Sequence, residues 1–305
     1  MSILLSPTTF MLSSTFSLSL TGLLTKYLSE YFDANLLSFI RFTLPALLLF
    51  FCFVHRPVRR PAQYENRPLW LRALCIGACQ VCFIYSLHHL SLVESVVLFG
   101  TGPLFIPLLE KLIFSVSLSL ANLISLVVTF IGVVMLAGDV SGFSFRSELL
   151  IGLAAGLFNA GSQLSLYRIS QSKMNPFEIN FWTFAYASIL ILPLLVFSGS
   201  QSDALIMVPN REMGVWLLLC SIALALLIIN TQVFRSKAYR LAKSGSQLAP
   251  LIFSNLIFTA LWQVCFYDET YNQYQVIGLA MIVLANVTSV IVPKLIAAKQ
   301  ANQLA

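Results

Sequence analysis

The chain predicts an all-α integral membrane protein of ten transmembrane helices, built as two inverted five-helix repeats. Three observations carry that expectation. Of its 305 residues 58% are hydrophobic and only 10% charged, with a mean hydropathy of +0.85, whereas ordinary soluble domains carry about 25% charged residues. Apolar runs long enough to cross a bilayer, roughly 20 residues each, recur from end to end. The basic residues gather in alternate connections between those runs. Too few charges are present to clothe a water-facing surface, which excludes a soluble enzyme, a nucleic-acid-binding domain and a disordered scaffold.

The ten spans run over 8–28, 36–54, 70–89, 95–114, 119–137, 149–168, 179–198, 213–233, 246–266 and 274–293. They are continuous apolar runs rather than alternating strands, so a barrel is not expected. Span one lacks a basic n-region and a small-residue cleavage site, and reads as a retained helix rather than a signal peptide. Span two holds Arg41 about a turn inside its start. Span three places Gly77, Gln80, Ile84 and His88 on one arc, with Cys75, Cys79 and Cys82 on another. Span four contains Gly100-Thr101-Gly102-Pro103 and then Pro107, which should break or kink it. Span six carries a stripe of Gly152, Gly156, Asn159 and Gln163. Span nine opens near Pro250 and carries a second stripe of Gln247, Leu251, Asn255, Phe258 and Trp262.

Fourteen of the 18 Lys and Arg residues fall in the segments 55–72, 110–118, 168–177, 235–243 and 294–305. The other side has only Lys26, Arg146 and Arg211, and nine of the twelve acidic residues. Basic connections stay on the cytoplasmic face, so both termini are expected in the cytoplasm of a cell whose inner membrane holds the protein. The net charge of +6 is thus topogenic and requires no nucleic acid.

A shift of 146 residues lays Ile131-Gly132 of span five on Ile277-Gly278 of span ten, and brings Pro103 within one residue of Pro250. This divides the chain into halves at 1–140 and 148–305. Five spans per half is odd, so the second half enters the membrane inverted.

These residues resemble the drug/metabolite transporter superfamily, in its EamA-like branch. The resemblance rests on Leu24-Thr25-Lys26-Tyr27-Leu28, Ser38-Phe39-Ile40-Arg41-Phe42, Thr101-Gly102-Pro103-Leu104-Phe105 and Phe130-Ile131-Gly132-Val133-Val134 in the first half. In the second half it rests on Ala238-Tyr239-Arg240-Leu241-Ala242, Leu248-Ala249-Pro250-Leu251, Cys265-Phe266-Tyr267-Asp268-Glu269 and Ile277-Gly278. The family often has an acid between spans four and five, where this chain has Ser115-Val116-Ser117-Leu118-Ser119. Glu110 lies too early to fill that place, so no role of that acid carries over. The resemblance implies a substrate among amino acids, related metabolites or small drugs.

Polar side chains at membrane depth face a partner or a cavity. Gln80, Asn159, Gln163 and Asn255 are expected at one central substrate site, with Trp262 beside them and Arg41 as support. For each amide the alternative is interhelical glue. For Arg41 it is packing against carbonyls or against Glu30 and Asp33. The site so described favours a neutral, zwitterionic or modestly polar solute. Cys75, Cys79 and Cys82 match a cluster-binding spacing but lie within an apolar helix without a wrapping loop, and read as small packing residues. No metal site or other cofactor is expected. No Walker loop, HExxH or GxSxG occurs, so transport by alternating access would draw on the solute's own gradient or on protons or sodium. The partners expected are a small-molecule metabolite and the lipid bilayer; a homodimer is compatible. The rival readings are a membrane receptor or scaffold without transport and, more remotely, an intramembrane transferase using Glu94, Glu110, His88 or His89.

Overall fold

The computed structural model describes residues 6–53, 58–89, 98–115, 120–137, 147–198, 211–267, 272–285 and 288. Among them there are helices and no strands. The 199–210 connection, Arg146, Glu94, the side chain of His88 and the 294–305 tail, on which parts of the sequence reading rest, lie outside the described residues.

Helix α1 spans Pro7–Leu28, opened by Ser6, whose hydroxyl accepts from the Thr9 amide at 3.2 Å. Its many hydroxyls are tolerable in an apolar helix because they bond back to their own turn. Thr15, Thr21 and Thr25 donate to the carbonyls of Leu12, Ser17 and Thr21. Asp33 caps α2, Ala34–Cys52, by accepting from the Asn35 amide. Helix α3 covers Gln63–His89, seven residues more at its start than the apolar run. Glu65 reaches back to the Ala62 amide at 2.9 Å and fixes that start as half of a capping box. Helix α4 is Gly102–Phe114, with Pro103 in its first turn and Ser115 in the left-handed conformation at its end (φ 54°). Then follow α5 (Leu120–Ala137), α6 (Ser147–Ser170), α7 (Pro176–Ser198) and α8 (Arg211–Leu241). The ninth span is divided into α9, Ala249–Ile252, and α10, Ser254–Tyr267. The last described helix, α11, is Gln273–Ala285.

Among the described residues, four windows are long and apolar enough to cross a membrane: Asn35–Cys52, Glu148–Ser170, Pro176–Val196 and Arg211–Leu241. Large apolar side chains face outward along the helices, for example Phe51 at 65% exposure and Leu112 at 79%. On a soluble protein that belt would be an aggregation surface; here it is the lipid-facing side.

The helices pair in a definite pattern. α1 lies against α8 and α3 against α6; α4 packs on α6 and α10 on α1; α3 packs on α7 and α2 on α8; α2 meets α7 directly. Helices α5 and α11 touch at Gly132, where a Cβ would stand 2.7 Å from the Gly278 carbonyl oxygen, 3.0 Å from Ile282 and 3.2 Å from Met281. Backbone cannot give way there without parting the helices. Gly132→Val is therefore expected to destabilise the protein by about 1–3 kcal/mol. Detergent melting would show it against Gly77→Ala, which meets nothing within 4 Å and should be neutral or slightly stabilising. Equal melting of the two variants would refute the close contact.

Candidate functional site

The helix pairs enclose a cavity of about 470 Å³. Arg41 and Phe42 of α2, Ile76, Cys79, Gln80 and Phe83 of α3, and Asn159, Ser162 and Gln163 of α6 border it. So do Ile228, Thr231, Gln232 and Arg235 of α8. Both helix interruptions reach it. Phe99, Gly100 and Pro103 come from the turn into α4, and Ile252, Phe253 and Asn255 from the break between α9 and α10. At the first break Thr101 closes its turn by donating its hydroxyl to the Leu98 carbonyl at 2.6 Å.

Five of the six residues picked out in the sequence border this one cavity: Arg41, Gln80, Asn159, Gln163 and Asn255. The span-six stripe divides its labour. Its glycines are glue, since a Cβ on Gly156 would lie 2.4 Å from the Thr101 hydroxyl and one on Gly152 would strike Leu98. The amides one and two turns further on face the cavity. Gln163 is held there by Tyr239, whose hydroxyl donates to Oε1 at 3.4 Å, and Gln80 donates to the Ser38 hydroxyl at 2.9 Å.

Trp262 does not border the cavity. Its indole N–H donates to Ser19 at 2.9 Å and its ring meets Phe16 edge-on at 5.7 Å, while Phe258 meets Phe16 at 5.3 Å. Asn255 and Trp262 share one face of α10, but Trp262 lies two turns, about 10.5 Å, further along the axis, and the cavity border on this helix ends at Thr259. The break at Phe253 takes only Gln247 off that stripe. Gln247 accordingly sits in the turn before α9, accepting from the Lys243 amide at 3.1 Å. Arg41 is not tied to Glu30 or Asp33. Among the described residues it has no hydrogen bond or ion pair, and the only ion pair there is Arg59–Glu65 at 3.4 Å.

Two arginines that the sequence reading assigned to basic connections are inside. Arg72 is 1% exposed. It donates to Asn180 Oδ1 at 3.1 Å, Thr183 Oγ1 at 3.2 Å and Gln232 Oε1 at 3.0 Å, tying α3 to α7 and α8. Arg235 is 4% exposed and borders the cavity. A signal for it was present: after Gly214 the next glycine is Gly245, so nothing stops α8 at the end of its apolar run.

The polar cross-links gather at the end where the basic connections lie. Glu110, 1% exposed, accepts from the Gly245 amide at 2.6 Å and the Ser246 amide at 3.0 Å. Tyr167 donates to the Lys243 carbonyl at 2.9 Å and Gln171 to the Tyr239 carbonyl at 2.7 Å. Arg240 donates to the carbonyls of Ser170 and Met174. Glu110 is thus a structural clasp, not the spare acid that a transferase would need. His89, the other titratable group of that reading in view, stacks on Tyr85 at 4.1 Å. Cys75, Cys79 and Cys82 stand free, and no metal-binding cluster occurs among the described residues.

With this geometry in hand, comparison with known proteins is informative. The family model described as the EamA-like transporter family matches residues 5–138 and again 146–291. The pseudopaline exporter CntI of Pseudomonas aeruginosa strain UCBPP-PA14 is 25% identical over 273 residues, covering 89% of this chain and 91% of its own. An uncharacterized transporter of Helicobacter pylori strain 26695 is 22% identical, covering 84% and 85%. One solved crystal structure shares the fold with a TM-score of 0.72 at 14% identity, over 95% of this chain and 97% of its own. These relatives are transporters, and the apolar helices make this chain a multi-pass membrane protein. It belongs to the EamA-like transporter family.

Proposed function

We propose that the protein carries a small organic metabolite across the inner membrane by alternating access, binding it in the cavity among Gln80, Asn159, Gln163 and Asn255. The single observation that carries this is the convergence of polar side chains from α2, α3, α6, α8 and α10, all at membrane depth, on one cavity beside two broken helices. Interrupted helices of this kind mark solute sites in transporters, where freed backbone groups face a ligand or water. The relative named as an exporter supports a small-metabolite solute. The driving force is the solute gradient or a coupled flow of protons or sodium. Both termini face the cytoplasm in this reading, which the basic asymmetry supports.

Ten spans in two inverted repeats, 1–140 and 148–305, form the frame. The helix pairing supports it. Exchanging α1 with α6, α2 with α7, α3 with α8, α4 with α9 and α10, and α5 with α11 turns the observed contacts into one another: α1–α8 becomes α6–α3, and α4–α6 becomes α10–α1. Gly132 and Gly278, equivalent under the 146-residue shift, touch each other, as residues on a twofold axis must. The separate family matches to the two halves point the same way.

Uptake of a labelled metabolite panel into proteoliposomes tests the function. Gln163→Leu and Asn255→Leu should fold normally and lose about 0.5–1.5 kcal/mol of solute binding, up to roughly tenfold in half-saturation. A receptor would bind without accumulating solute. If both variants transport with unaltered half-saturation and rate, the amides are only helix glue.

A further inference from the structure

The cavity wall carries positive charge that no acidic group among the described residues answers. Arg235 lies 4% exposed in that wall, and its Nε and Nη2 donate to no acceptor. One turn earlier on α8, the buried hydroxyl of Thr231 also lacks a partner and faces the same space. Arg41 enters from α2 without a hydrogen bond or ion pair. Behind Gln232, Arg72 donates its two terminal nitrogens to three neutral oxygens and its Nε to none, so it adds charge without neutralising any. Among the described residues, no Asp or Glu borders the cavity.

A guanidinium buried in a bilayer-spanning bundle without a counter-ion is costly. A fold keeps such a group where the missing partner is a ligand. An Arg offers a planar fork of N–H groups that matches a carboxylate in a bidentate pair. We infer that the cavity binds the carboxylate of a small organic acid, with Arg235 as its anchor, the Thr231 hydroxyl donating alongside and Arg41 adding a second positive charge. Phe42, Phe99 and Phe253 would enclose the carbon skeleton. This narrows the neutral, zwitterionic or modestly polar solute expected from sequence to one that bears a carboxylate, because Arg235 counts there as part of a basic connection. As a substrate class it rests on the transporter reading, but the binding itself is testable without transport.

The test is thermal unfolding of the full chain in detergent with citrate, succinate or L-glutamate, each against its methyl ester. The acids should raise the melting temperature saturably and the esters should not. Arg235→Gln should raise the half-effect concentration at least tenfold, a loss of about 1.4 kcal/mol, with Arg235→Lys recovering part. Arg41→Gln and Thr231→Val should each weaken the effect two- to fivefold, and they decide the matter if Arg235→Gln does not fold. Three results would overturn the inference: no shift with any acid, equal shifts with the esters, or equal shifts with chloride or inorganic phosphate. Proteoliposomes separate it from the wider reading. Uptake of neutral solutes without any acid binding defeats only the carboxylate site. Arg235-dependent acid binding, with no solute accumulated, defeats only the transport function.

Discussion

Arg72→Leu is expected to cost roughly 2 kcal/mol or more, because two buried acceptors, on Asn180 and Thr183, lose their partner at about 1–3 kcal/mol each. The sign is not self-evident, since removing a buried charge also recovers its desolvation penalty, and replacing whole buried ion pairs by apolar groups is often neutral. Here only one side of the network goes. Asn180 keeps its own donations to Pro176 and Ser236, and Thr183 keeps its bond to Ile179. Neither of those two gains a new donor, and no bulk water reaches their fully buried site; only Gln232, half-buried at the cavity, has space beside it. Leucine also leaves part of the guanidinium's volume empty. The measurement is yield and melting temperature in detergent. Arg72→Lys should fall between, because one ammonium on a flexible stem cannot match a planar fork bonded to two helices. Wild-type melting of the leucine variant would show that the network contributes nothing net.

The same residue shows what hydropathy reads and what it misses. Apolar runs placed the described helices to within about two turns, because a bilayer-facing surface has to be apolar whatever the helix does inside. They did not mark where helices end. Arg72 lies in the first turn of the third run and Arg235 just past the end of the eighth, and at both places a charged residue is buried by packing rather than by its own sequence context. The cavity amides were legible for a related reason. Gln80, Asn159, Gln163 and Asn255 are polar in the middle of apolar runs, where only a cavity or a partner tolerates them. Trp262 was misplaced because a shared stripe fixes direction but not depth: it faces the same way as Asn255 two turns further along α10, beyond the cavity border at Thr259. Arg41 sits where expected, but its lack of an acidic partner is visible only in three dimensions.

Glu110→Ala is expected to unlock the basic end of the molecule. In the two-repeat reading α4 belongs to the first half and the turn 243–248 to the second, so the carboxylate of Glu110 clasps one half to the other through the amides of Gly245 and Ser246. In the proposed alternating-access cycle, opening the cavity toward the cytoplasm parts that clasp. Hydrogen bonds to a charged group are worth about 1.5–3 kcal/mol each, so losing both removes roughly 3 kcal/mol or more from the sealed conformation alone. At about 1.4 kcal/mol per decade, the open population should rise at least a hundredfold, provided that the sealed form dominates at the start. Glu110→Gln keeps one acceptor and turns an NH₂ toward an amide donor, so it should lie between. Tyr167→Phe removes only one neutral bond, to the Lys243 carbonyl, and should change little. The readout is a single cysteine at Ser162, which borders the cavity, in an otherwise Cys-free chain, labelled with an impermeant maleimide in inside-out and right-side-out vesicles. Labelling in inside-out vesicles should accelerate at least tenfold in Glu110→Ala while the rate in right-side-out vesicles falls. Unchanged rates on both sides would mean that Glu110 holds a static loop and that the gate lies elsewhere. Acceleration in the right-side-out vesicles instead would reverse the proposed orientation, because the clasped end would then face outward.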